Sequence, residues 1–144
     1  MEIEAVCKYD PEWQELIDYI AVQPWGRSLG VKMKEEEWKD WERVIIAREE
    51  GNICGFCTAV ENDNMEDLTY SPFIGYVYVN EQYRGNRISE KMIRKAEEII
   101  LAQGYHEIHI MSGHVGLYEK YGYVPSGEAY DTRGRKETVF ARKF

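Results

Sequence analysis

The chain reads as a mixed α/β fold, and three observations carry that reading. β-Branched or aromatic runs recur at residues 44–48, 53–60, 73–79 and 105–111. Other segments repeat apolar residues at helical spacing, above all Ile88, Met92, Ile93, Ala96, Ile99 and Ile100. Turn residues rather than linkers separate these segments, so the 144 residues read as one domain around one core.

In chain order, residues 2–7 alternate charged and apolar side chains as a short strand does. Asp10-Pro11 opens a helix, with the aspartate as N-cap and proline at the first helical position, and Trp13, Leu16, Ile17 and Ile20 share one face. Pro24 and Gly26 end it. Residues 34–43 read as a second, more exposed helix that sets Trp38 and Trp41 on one face. Glu50-Gly51-Asn52 joins the next two strands as a hairpin, and an acidic loop over residues 61–67 follows. The run 73–79 is apolar or aromatic on both faces, as a central strand covered on both sides requires. The long helix comes next, with Gly104 placed to cap its C-terminus. A strand over 105–111, a short helix around 115–120, a strand over 123–126 and a last strand over 138–143 complete the order.

Composition narrows the function classes. Hydrophobic residues make up 44% and charged residues 31%, and no apolar run approaches the roughly 20 residues that span a bilayer, so no membrane span is expected. The N-terminus Met1-Glu2-Ile3-Glu4 carries acids where a secretory signal carries bases, which predicts a cytoplasmic protein. A net charge of -8 argues against nucleic acid and fits a cationic partner such as an amine, or an acidic surface that serves solubility alone. Cys54-Gly55-Phe56-Cys57 has redox or half-zinc spacing, but no second pair follows and the residues read as a strand. Buried structural thiols and no metal are therefore expected.

The most informative stretch is Tyr78-Val79-Asn80-Glu81-Gln82-Tyr83-Arg84-Gly85-Asn86-Arg87-Ile88-Ser89-Glu90. A buried strand runs through a tight turn straight into a long helix, so the helix's first N–H groups face whatever lies beyond the strand end. Unpaired amides and the positive end of the helix dipole favour a phosphate, and Arg84 and Arg87 add positive charge. An ordinary strand-to-helix junction with two solvated arginines is the plain alternative.

This stretch resembles the acetyl-CoA signature of the GNAT N-acetyltransferases, in which a strand ending in valine leads to Arg/Gln-x-x-Gly-x-Gly/Ala and a helix. The segment Leu117-Tyr118-Glu119-Lys120-Tyr121-Gly122-Tyr123, about 30 positions downstream, resembles that superfamily's Leu-Tyr-Glu-Lys-x-Gly-Phe motif. The resemblance covers about residues 48–144. It implies a mostly antiparallel sheet of about six or seven strands with helices on both faces, and acetyl-CoA as cosubstrate. It also implies an amine-bearing small molecule or peptide as acceptor; a homodimer is compatible with it. Val77, Tyr78 and Val79 would line the pantetheine, and Arg84, Gly85, Asn86, Arg87, Ile88, Ser89 and Glu90 would wrap the pyrophosphate. Two family glycines are replaced by Arg87 and Ser89, and an arginine there is expected to need right-handed, α-like backbone. Tyr118 would return a proton to the leaving thiolate, which suits a phenol of ordinary pKa near 10.

Loss of a proton from the acceptor ammonium requires a base. The run 73–79 has no acid, and Met111 stands where some members of the superfamily carry a glutamate, which leaves His114 as the candidate base; His109 reads as structural. Glu61, Asp63, Glu66 and Asp67 read as a solvated acidic loop or as attractors of a cationic acceptor. Trp25, Trp38, Trp41 and Tyr70 read as core or as an aromatic acceptor pocket. A non-catalytic acyl-CoA-binding module on the same fold is the other functional reading.

Overall fold

The computed structural model describes residues 1–24, 26–65, 69–112 and 116–144. Among these residues the strands are β1 (Glu2–Val6), β2 (Arg43–Glu49), β3 (Asn52–Val60), β4 (Phe73–Val79), β5 (Glu107–Ser112), β6 (Val124–Tyr130) and β7 (Lys136–Lys143). The helices are α1 (Glu12–Ala21), α2 (Gly26–Glu35) and α3 (Ile88–Leu101), with 3-10 turns at Glu81–Tyr83 and Tyr118–Tyr121. The strands form one sheet in the order β1-β2-β3-β4-β5-β7-β6, antiparallel except where β4 meets β5. This is the expected mixed sheet with helices on both faces. Glu50 (φ 51°) and Gly51 (φ 84°) make the two-residue turn between β2 and β3, and two successive positive φ values match the right-handed twist of the flanking strands.

Alternation along each strand divides the core in two. Val44, Ile46, Phe56, Val60 and Phe73 face α1 and α2, meeting Trp13, Leu16, Ile20, Leu29 and Met33. Ile45, Cys57, Ala59, Ile74, Ile108 and Ile110 face α3, meeting Ile88, Met92, Ile93, Ala96 and Ile100. Cys54 and Cys57 are buried free thiols on this second side; burial raises both thiol pKa values, which keeps them uncharged.

Three local expectations are corrected. The second helix lies at Gly26–Glu35, not at 34–43. Gly26, read as a terminator, opens it instead: a Cβ there would run into the Ile20 carbonyl, and one at Gly30 would press on Ala21, so this pair lets α2 close against α1. Trp38 and Trp41 then share no helical face. The Trp38 ring packs edge-on to Trp13 at 5.0 Å and its indole N–H donates to the Lys32 carbonyl (3.0 Å), satisfying the last turn of α2, while Trp41 lies against Tyr105. Asp10 does not cap α1 through its side chain; its carboxylate accepts from the Cys7 N–H (2.9 Å) and fixes the turn before the helix.

Two irregularities create space in the middle of the sheet. Between Phe56–Tyr78 and Thr58–Gly75 the register advances two residues on β3 but three on β4, a bulge at Tyr76 (φ 50°) and Val77. On its other side β4 pairs with β5 only at Phe73–His109, after which the two parallel strands separate. The His109 ring nitrogen Nδ1 lies 3.1 Å from the Pro72 carbonyl and its ring packs on Tyr70 and Phe73, so it anchors the closed end of this fork. Among the described residues no helix is long and apolar enough to cross a membrane.

Candidate active site

The fork between β4 and β5 opens into a cleft of about 1410 Å³ that runs from the β4–α3 loop to α2 and the β6–β7 turn. Its middle is lined by Ile74–Val79 on one side and Ile110–Ser112 on the other. The β4 edge facing β5 carries backbone donors and acceptors that the sheet does not use, so an extended amide-bearing ligand can pair with it as an extra strand would.

At one end, β4 runs through the 3-10 turn into α3. Gly85 has φ 91° and Arg87 φ 59°. Arg87 therefore takes the left-handed conformation a glycine would supply, contrary to the right-handed backbone expected for it. The Arg87 side chain is 79% exposed and its Nε donates to Glu90 (2.9 Å). Among the described residues the N–H groups of Gly85 to Glu90 donate to no other group, and Arg87 provides no side-chain cap. They form a ring of free donors at the positive end of α3. Arg84 turns back, its Nε donating to the Val79 carbonyl (3.1 Å), and Asn86 donates to the Tyr83 carbonyl (3.0 Å). Val77, Tyr78, Val79, Arg84, Gly85, Arg87, Ile88, Ser89 and Glu90 all line the cleft, whereas Asn86 does not.

Tyr118 sits on the far wall, 5% exposed, its ring 6.0 Å from Phe140 and its hydroxyl near the Ser112 side chain. Burial pushes its phenol up to about 12. The 3-10 turn that carries it is fixed twice. Ser89 and Tyr121 share a hydroxyl–hydroxyl bond of 2.8 Å, and Arg94 and Arg142 both donate to the Tyr121 carbonyl. Those arginines also pair with buried Glu97, which accepts from the Tyr123 hydroxyl at 2.7 Å. Spacing identified Tyr118; this Glu97 hub, assembled from α3, β7 and the turn, left no local signal.

The other end lies under α2. Asp63, 5% exposed, lines it, and a Cβ at Gly75 would overlap its carboxylate carbon and both oxygens. Asp63 is thus part of the buried wall and not of a solvated loop. Among the described residues its Oδ1 has no hydrogen-bond partner, and burial raises its pKa to about 6. Glu61 instead ion-pairs with Lys39, and Glu66 and Asp67 lie outside the described residues. So do His114, the candidate base read from the sequence, and Trp25. Trp38, Trp41 and Tyr70 pack in the interior or against loops and do not line the cleft. Among the described residues no cluster of three or more His, Cys, Asp or Glu side chains could hold a metal ion.

Seven basic residues line the cleft against five acidic ones, in a chain whose net charge is -8. The cavity is therefore positive where the surface is not, which suits a polyanionic ligand.

Solved structures of the same fold include acetyltransferases, some with coenzyme A or acetyl-CoA bound. The aminoglycoside 6'-N-acetyltransferase of Enterococcus faecium superposes with a TM-score of 0.72 at 15% identity, covering 99% of this chain and 97% of that one. An acetyltransferase of Salmonella typhimurium, solved with its cofactor acetyl-CoA, gives 0.66 at 13% identity over 99% and 93%. The PaiA N-acetyltransferase of Thermoplasma acidophilum, in complex with coenzyme A, gives 0.64 at 15% identity over 100% of both chains. No curated protein sequence matches the chain. The family model for the acetyltransferase (GNAT) domain matches residues 40–125, a span that holds the bulged strand, the ring of free N–H donors and the Tyr118 turn together, and the chain accordingly belongs to the GNAT acetyltransferase family.

Proposed function

We propose that this protein transfers an acetyl group from acetyl-CoA to a primary amine of a small molecule or peptide, by direct attack of the amine on the thioester. The observation that carries the reading is the cleft itself: an unpaired strand edge leads from a ring of free N–H donors to a buried tyrosine. Pantetheine carries two amides and lies along Val77–Val79 as a strand would. The diphosphate meets the N–H groups at the start of α3, where Arg84 and Arg87 add charge. That alignment carries the thioester along β4 toward Tyr118 and the space under α2, and a strand-edge N–H near Val79 polarises its carbonyl.

The phenol pKa of about 12 refines the part Tyr118 plays. Against a leaving thiolate of pKa roughly 8.5 to 10, such a phenol keeps its proton at equilibrium. Tyr118 then stabilises the thiolate by donating a hydrogen bond as the C–S bond breaks. Thiol release measured with acetyl-CoA and an amine panel tests the reading. The expected outcome is amine-dependent release that Tyr118→Phe slows about 100-fold with acetyl-CoA affinity little changed. Calorimetric binding of acetyl-CoA with no turnover on any amine would support the non-catalytic module instead.

A further inference from the structure

The loop joining β3 to β4 is pinned on both sides of Asp63. The Asn62 side chain accepts from the Met65 N–H at 3.2 Å, the Asn64 side-chain amide donates to the Tyr76 hydroxyl at 2.8 Å, and Met65 bridges to Asp131. Every one of these ties belongs to a neighbour. The Asp63 carboxylate is carried into the protein with no tie at Oδ1, although an unsatisfied buried oxygen costs about 1–3 kcal/mol. A second orphan lies on the neighbouring strand. Thr58 is fully buried, its Oγ1 has no partner among the described residues, and it stands directly opposite Gly75 in the β3–β4 register. Gly75 is the third member, since its missing side chain is what admits the carboxylate.

An unsatisfied carboxylate on the wall of the cleft marks the place where a ligand with an N–H donor is received. We propose that Asp63, admitted by Gly75, is the base that takes a proton from the acceptor ammonium. The inference rests on the transferase reading above and identifies which end of the cleft holds the acceptor. The amine has to lose two protons in all. One passes from nitrogen to the Asp63 carboxylate and on to solvent. The freed lone pair forms the C–N bond at the thioester carbonyl, the C–S bond breaks with its electrons on sulfur, and the second proton from nitrogen ends on the thiol. The groups that act on Asp63 are Lys32 from α2, Tyr76 from β4 and Tyr118 from its 3-10 turn, while Glu36 and Arg133 act on Tyr76 beside it. Lys32 is engaged by Glu36 at 3.1 Å, which leaves the carboxylate without a fixed counter-ion and able to receive a cationic acceptor.

The test compares wild type, Asp63→Asn and Gly75→Ala for acetyl-CoA affinity by calorimetry and for thiol release from pH 5 to 9, with kanamycin, 1,4-diaminobutane and an alanine tripeptide as acceptors. Wild-type kcat/KM is expected to fall below about pH 6, where the carboxyl is protonated. Asp63→Asn should keep acetyl-CoA affinity within about threefold, lose at least about 100-fold in turnover, and lose the limb near pH 6, its residual rate rising about tenfold per pH unit with the free amine. Gly75→Ala, which displaces the carboxylate without removing it, should lose turnover with the same retention of acetyl-CoA. An Asp63→Asn enzyme within threefold of wild type, or one that keeps the limb near pH 6, overturns the assignment. Acetyl-CoA binding with no thiol release from any of the three amines in wild type overturns the transferase reading, and the base with it.

Discussion

The carboxyl of Asp63, held at about 6 by burial against an ordinary 3.8, couples stability to pH. Below 3.8 it is protonated whether the chain is folded or not. Between 3.8 and about 6 the unfolded chain has released the proton while the folded chain still holds it, so each increment of pH there favours unfolding. The stability present in acid is lost as pH rises through this window and levels off above it. The total loss is about 3 kcal/mol, because each pH unit crossed inside the window removes roughly 1.4 kcal/mol. Asp63→Asn is therefore expected to match wild type in urea unfolding at pH 4 and to exceed it by up to about 3 kcal/mol at pH 7.5. A difference that does not grow with pH would contradict the buried, charged carboxylate. Single residues were unevenly legible in the sequence. Tyr118 stood out through its motif, but Asp63 looked like one acid among several in a loop. The signal was present in its partner: a glycine inside a strand marks a place where something comes close, and Gly75 sits in β4 where the Asp63 carboxylate needs the room. Arg87 misled in the other direction, because neighbouring structure holds it at φ 59° despite its own preference.

Elements with strong periodicity were legible from the sequence and those shaped by tertiary contact were not. α3 repeats its apolar residues through a complete face, and β3 and β4 are apolar enough to declare themselves central. α2 has two glycines and a weak polar face, so its position depends on α1, whose surface those glycines approach. The expectation of a helix over residues 34–43 followed the two tryptophans and missed that Trp38 closes α2 by covering its last turn. The bulge and the fork belong to pairs of strands, and no single strand announces them. The turn carrying Tyr118 likewise depends on Glu97, whose carboxylate gathers Arg94, Arg142 and Tyr123 from separate elements. Glu97→Ala leaves the Tyr123 hydroxyl without its acceptor and both arginines with only the Tyr121 carbonyl in this hub. It is expected to cost about 3 kcal/mol in urea unfolding, the low end for a broken buried pair because both arginines reach solvent. A loss below about 1 kcal/mol would show that the hub does not hold the turn.

For the molecule as a whole, charge is distributed against its average. An acidic protein keeps a basic cleft, with Arg84, Arg87 and Lys120 at one end and Arg27, Arg133 and Arg135 at the other. Net charge alone pointed to a cationic partner or to an acidic surface that serves solubility, and gave no account of the basic cleft, because it sums over a surface that the cavity does not share. The layered sheet was readable because alternation and helical periodicity impose it, whereas the end of the cleft under α2 was not, since a loop and a helix placed by long-range packing build it. The central claim is that the free N–H groups at the start of α3 bind the coenzyme's diphosphate and aim its sulfur along β4 toward Tyr118. A crystal structure with acetyl-CoA bound measures this directly. Diphosphate oxygens are expected within about 3 Å of the N–H groups between Gly85 and Glu90, and the thioester in the fork with Tyr118 on one side and Asp63 on the other. Coenzyme density away from that ring, or a thioester that enters from the α2 end, would contradict it.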